Sequence, residues 1–341
     1  MADTAQHIEI IGAGVAGLCC ARVFVDHGYR VTLYAASAGT DDSCCSWWAG
    51  GMLAPWCESE SAEPVISRLG EESLEFWKQH DQSLCENGSL VVAQQRDYPE
   101  LQQYAQRTSH FKALDSAAID ALEPDLAGRF DHALFYETEC HLNPRTALAA
   151  LQQSLSDSES FTGHFSHRID EDRLQHVQAD TLRIDCRGLK ARNVLDGLRG
   201  VKGEMLILRT TELTLQRPVR LLHPRHPIYI VPRNERDFMV GATMIESDDD
   251  RCVSARSMME LLSSAYSLHP GFAEAEVVEI GTDARPAFDN NIPRISRCGN
   301  TLYVNGLYRH GFLCAPALAR HCVDIVMHKQ IDDEVFHEIA D

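Results

Sequence analysis

Basic residues are scarce in this chain. There are 31 Lys and Arg against 50 Asp and Glu, a net charge of −19 over 341 residues. So acidic a surface repels phosphodiester backbones and anionic headgroups, which excludes nucleic acid and an anionic membrane surface as ordinary partners. Any site for an anionic substrate must therefore concentrate arginine locally. An apolar run long enough to span a bilayer is also absent. The opening MADTAQHIEI is polar and runs straight into the first apolar stretch, which reads as no signal peptide and favours the cytoplasm. No internal repeat, low-complexity tract or interdomain linker stands out. Cysteine itself is not scarce, but paired spacing is. The 12 cysteines are scattered, with adjacent pairs Cys19–Cys20 and Cys44–Cys45 and no C-x-x-C. In a reducing compartment they read as small core residues. His164-x-x-His167 lacks a companion ligand, so no metal is expected.

What is present is organised around Ile8–Ala35, IEIIGAGVAGLCCARVFVDHGYRVTLYA. Ile8–Ile11 is a short apolar run without helical spacing, as in a buried parallel strand. Gly12, Gly14 and Gly17 form G-x-G-x-x-G. Gly12 permits the turn, Gly14 lets a phosphate approach the backbone, and Gly17 lets the following helix pack on the strand. That helix runs to about His27 with Gly28 as its stop, and Val31–Tyr34 completes a βαβ unit. Its N-terminus can hold a pyrophosphate with free N–H groups and a positive dipole end. The fingerprint alone does not separate NAD from FAD. The ribose-binding acid that usually ends the second strand is missing, because Ala35 and Ala36 stand there. Asp41 or Asp42 can substitute only if the loop folds back.

A second stretch, Cys44–Glu58, has a small apolar core, Ala49–Pro55, flanked by Trp47, Trp48 and Trp56. It suits either a flat ligand walled by aromatics or a tight buried turn. Helical segments are expected at 62–80, 98–108, 116–122, 255–268 and 317–328, with a further one opened by Asn143-Pro144. Strands are expected at 89–93, 134–136, 182–186, 205–208, 228–231, 238–240, 276–280 and 301–305. Parallel-type strands lie toward both ends and antiparallel ones between. The expectation is an α/β chain with a discontinuous nucleotide domain and a second domain inserted into it.

Several segments together resemble one family. The glycine turn, S-W-W-A-G-G-M-L-A-P from Ser46, Y-I-V-P-R from Tyr229 with V-G-A-T after it, A-R-P-A-F-D-N-N-I-P from Ala284 and N-G-L-Y-R-H-G-F-L-C-A-P from Asn305 occur in the order of the FAD-dependent D-amino acid oxidase superfamily. Within it they are most similar to the glycine oxidases of thiamine biosynthesis. The resemblance implies a Rossmann-like FAD-binding domain (1–82, 141–202 and 284–341) with an inserted mixed or antiparallel-sheet substrate domain (83–140 and 203–283). It implies non-covalent FAD held by Gly12, Gly14 and Gly17 at the pyrophosphate. Ser46, Gly50, Gly51 and Met52 would run past the flavin ring, with Gly311, Phe312 and Leu313 at its pyrimidine end. Arg309 matches the arginine that grips the substrate carboxylate, Tyr229 a tyrosine beside it, and Arg285 an arginine lining the pocket. No side-chain acid or base is required if the amine arrives neutral.

The implied reaction oxidises glycine to its imine, which hydrolyses to glyoxylate and ammonia or feeds thiazole formation. Oxygen is reduced to hydrogen peroxide, thiazole synthase is the receiver, and a homo-oligomer is expected. Alternatives are an oxidase or dehydrogenase for sarcosine, proline or a D-amino acid, a flavoprotein partner without turnover, and an NAD-dependent reductase. Cys314 reads as a core cysteine rather than a covalent flavin link. His310 stands either near the flavin or at the surface.

Overall fold

The structure is a computed structural model and describes residues 7–170, 173–174, 177–178, 181–329 and 334–339. His7–Ile11, flanked by Arg30–Tyr34 and Thr181–Asp185 in parallel register, is an interior strand of a seven-stranded sheet. The sheet continues through Phe161–His164 on one side and through Thr301–Asn305, Arg294–Cys298 and Phe336–Glu338 on the other. Only the hairpin of Arg294–Cys298 with Thr301–Asn305 is antiparallel. Glu9 is the buried polar residue of the first strand. It lies opposite Arg183 and accepts its guanidinium at 2.7 Å, so the buried charge is paired across the strands.

Helices Val15–Asp26, Pro64–His80, Pro144–Ser156 and Gly311–Val326 share one core with this sheet. A second, nine-stranded mixed sheet is built on two long neighbours, Arg199–Arg209 and Glu276–Ala287. One face packs under the helix Ala255–Leu268 through Leu206, Leu208, Ile228, Ile230, Phe238 and Val240. Strand periodicity turns the alternate residues to the opposite face. Met52–Leu53 pairs with Cys140–His141 between the sheets. No helix among the described residues is long and apolar enough to cross a membrane.

Sequence patterning located most helices, with one displaced start. The last helix begins at Gly311, not after Pro316. A proline in the first two turns lacks an amide that would reach the carbonyl four residues back, here that of Phe312. Trp77 Nε1 donates to that carbonyl at 2.8 Å, and Ser73 Oγ accepts the Ala317 amide at 3.1 Å. Helix Pro64–His80 therefore repairs the break and fixes the entry of the last helix.

Candidate active site

A cavity of about 840 Å³ runs between the two sheets, from Tyr34 and Ala35 past the glycine turn to Tyr229 and Arg309. At the turn, Gly12 has φ +106°, and a Cβ there would lie 2.6 Å from the Cys186 carbonyl oxygen. Gly14 is the N-cap of the first helix, with no side-chain cap and no acid in the first turn. Gly17 does not line the cavity. A Cβ there would fall on the Gly12 carbonyl, so its role is helix–strand packing. The helix Gly311–Val326 also begins at the cavity, again with no side-chain cap and no acid in its first turn. Gly311, Phe312 and Leu313 form that wall. Two helix N-termini bring amides and positive dipole ends to one groove, with the Val15 amide of the first taken up by Ser46. With the glycine turn, this donor set fits a dinucleotide and its dianionic pyrophosphate.

The segment from Ser46 to Met52 forms the next wall. Ser46 lies nearer the pyrophosphate turn than its expected place suggests, because its hydroxyl accepts the Val15 amide at 3.0 Å. Gly51, at φ +76°, faces the Leu142 carbonyl with no space for a Cβ. Arg233, the last residue of the Y-I-V-P-R stretch, donates to the carbonyls of Ala49 (2.7 Å), Gly50 (3.0 Å) and Leu142 (3.2 Å). Of the three tryptophans expected as walls, only Trp48 lines the cavity. Trp47 lies under the Arg145 guanidinium and Trp56 stacks on His110.

The second sheet supplies the floor. Cross-strand register sets Arg220, Tyr229, Gly241, Met205 and Gly281 in one row. Gly281 in that row lies under the Trp48 ring, and the Tyr229 ring lies against Gly50, where a Cβ would sit 2.8 Å from it. Asp283 and Arg285 share the face of Gly281, two and four residues on. The Arg285 guanidinium covers Gly203, and its Nη1 donates to the Thr243 carbonyl at 3.1 Å.

Arg309 enters from the first sheet's side, just ahead of the last helix, and is engaged by a carboxylate the sequence did not flag. Its Nε donates to Glu58 Oε2 at 2.9 Å and its Nη2 to the same oxygen. Arg220 Nη1 reaches Glu58 Oε1 at 3.5 Å. Burial pushes the Glu58 carboxyl up, but Arg309 and then Arg220 outweigh it and hold it at about 2. His310, also at the cavity, is buried, and desolvation lowers its imidazole to about 4. Burial likewise raises the Asp283 carboxyl to about 6.

A sequence family described as FAD dependent oxidoreductase matches residues 7–325. The chain belongs to that family. As an FAD-dependent oxidoreductase it is 53% identical over 320 residues, 92% of this chain and 94% of the relative, to a Rhizobium etli protein provisionally named thiamine biosynthesis oxidoreductase ThiO. It is 32% identical to a glycine oxidase of Geobacillus kaustophilus, over 95% of this chain and 93% of that one. The crystal structure of glycine oxidase from Bacillus cereus superposes with a TM-score of 0.80 at 22% identity, covering 96% of this chain and 99% of the other. The two-sheet fold expected from the D-amino acid oxidase resemblance is the fold observed, and FAD is the family's cofactor.

At the adenosine end this oxidoreductase departs from the usual pattern. Neither Asp41 nor Asp42 lines the cavity. Asp41 accepts the Ser43 amide at 3.1 Å, and the Asp42 carbonyl accepts the Trp48 indole at 3.0 Å. The 167–170 segment closes that end instead, with the His167 amide on the Ala35 carbonyl at 2.8 Å. The pair His164 and His167 is used for stacking, and His164 lies on the Tyr34 ring with centroids 4.8 Å apart. Cys314 is fully buried and does not line the cavity. Glu58 and Arg220 were missed for different reasons. Glu58 carries no local signature. Arg220 lies opposite Tyr229, but its strand, Val219–Leu222, was not read as one.

Proposed function

We propose that the protein oxidises glycine to its imine, with oxygen reduced to hydrogen peroxide. The observation that carries this reading is that Tyr229, Arg285 and Arg309 line one cavity with the glycine turn and the start of the last helix. When bound, FAD supplies a two-electron acceptor for the substrate Cα hydride and passes the electrons to oxygen.

The chain's own residues do the rest. In this reading the substrate carboxylate meets the free edge of Arg285 and the Tyr229 hydroxyl. Arg309 spends Nε and Nη2 on Glu58 and offers Nη1, which now rests 3.4 Å from Met244 Sδ. It therefore completes the grip through Nη1 alone. The first amides of the last helix stabilise negative charge gathered at that end of the cavity. Gly50 lets the Tyr229 ring close on the Ala49–Gly51 turn, where a Cβ has no room.

The names of the Rhizobium and Geobacillus relatives support both the glycine substrate and a place in thiamine synthesis. There the imine would pass to a thiazole synthase or hydrolyse to glyoxylate and ammonia. The domain division at 1–82, 141–202 and 284–341 against 83–140 and 203–283 belongs to the same proposal, as does a homo-oligomeric assembly. The first division follows the seven-stranded sheet. The long strands 199–209 and 276–287 run through two of the proposed borders.

The test is peroxide production by the FAD-loaded protein with glycine, sarcosine, D-alanine and D-proline. Turnover greatest with glycine supports the reading. Turnover of D-alanine or D-proline with little of glycine moves it to the neighbouring oxidases. Flavin bleaching by glycine without peroxide makes it a dehydrogenase.

A further inference from the structure

The substrate end holds more arginine than one carboxylate needs. Arg309 and Arg220 converge on Glu58, and the three side chains are only 20%, 12% and 12% exposed. Arg285 has Asp283 two residues before it on the same strand face. Burial keeps His310 neutral near pH 7. Two guanidiniums thus share the single Glu58 carboxylate in a chain whose net charge is −19.

We propose that Glu58 is a specificity-determining residue that fills what would otherwise be a second carboxylate subsite, formed by Arg309 and Arg220. By occupying both guanidiniums it admits amino acids with one carboxylate and turns away those with two. A second substrate carboxylate would be set beside the Glu58 carboxylate in a poorly hydrated site, where like charges repel strongly. The inference rests on the reading of this end of the cavity as the substrate carboxylate site. It adds what that reading leaves open, which amino acids are excluded and by which residue.

The test uses FAD-loaded protein and the shift of its visible flavin band on titration with acetate and with malonate, so no turnover is needed. Glu58→Gln keeps size and an acceptor but removes the charge. It is expected to raise the affinity ratio of malonate to acetate about tenfold or more, the scale of one recovered charge-assisted contact. Glu58→Asp, which keeps the charge, is expected to hold the wild-type ratio. A Glu58→Gln protein that retains FAD and shows the wild-type ratio overturns the proposal. Should that variant not fold, the wild type decides: malonate must bind no more tightly than acetate, and malonate bound clearly more tightly overturns the proposal equally. Failure of the glycine reading is recognised separately. The wild type would then neither make peroxide nor bleach with glycine, whatever the malonate ratio does.

Discussion

Arg233 shows how a single side chain can build a cofactor wall without facing the chemistry. Burial and the neighbouring Arg145 push its guanidinium down to about 9, and its three carbonyl contacts hold the Ala49–Gly51 turn. Arg233→Met leaves those carbonyls without this donor. Each such loss costs about 1–3 kcal/mol, so the purified variant should carry much less flavin, read as visible absorbance per protein. At the same scale, two groups set the acid limb of stability. His310 is depressed to about 4, so the unfolded chain binds its proton first, and stability falls as pH drops from the ordinary imidazole range toward 4. Glu58 is depressed to about 2, so the stability it contributes is present above the ordinary carboxylate range and lost as pH falls from there toward 2. Thermal melts across pH should show both declines, with His310→Gln removing part of the upper one and Glu58→Gln part of the lower.

The last helix carries the next lesson, at the scale of an element. Its proline made the sequence point to a start after Pro316, yet it starts at Gly311 because Trp77 and Ser73 of a neighbouring helix take over the bonds the proline breaks. Trp77→Phe should lower stability by about 1–3 kcal/mol, the cost of one buried carbonyl left unmade. Adding Pro316→Ala should recover part of it, because the restored amide can reach the Phe312 carbonyl. A double-mutant cycle by denaturant melts measures that coupling. Elements that local patterning alone dictates were legible: the βαβ unit, Ser89–Ala93, Ser116–Leu122, Ala255–Leu268 and Thr301–Asn305. Short strands such as Val219–Leu222 and Phe161–His164 were not, because neighbouring strands define them more than their own alternation does. The candidate site divides in the same way. Twelve of the thirteen named residues line one cavity, all but Gly17, since each sits in a motif with its own backbone logic. Glu58 and Arg220 are joined to them only by tertiary register, which no local pattern encodes.

For the whole molecule, the cavity is the seam between two cores. One is organised on the seven-stranded sheet and the other under Ala255–Leu268, and the binding groove lies between the two sheets. A ligand that fills this seam joins both halves. FAD at a hundred times its dissociation constant should stabilise the fold by about 2.7 kcal/mol, read as a higher melting temperature in FAD-loaded than in FAD-stripped protein. The acidic exterior and the arginine-rich pocket make the inside of the groove the place where an anion is held. The most direct measurement of the central claim is anaerobic mixing of the FAD-loaded protein with glycine while the visible flavin band is followed, with Arg285→Met alongside. The account predicts that glycine bleaches the band in the wild type and that Arg285→Met needs far more glycine to do so. A band that glycine leaves unchanged, or bleaching equally easy without Arg285, would contradict it.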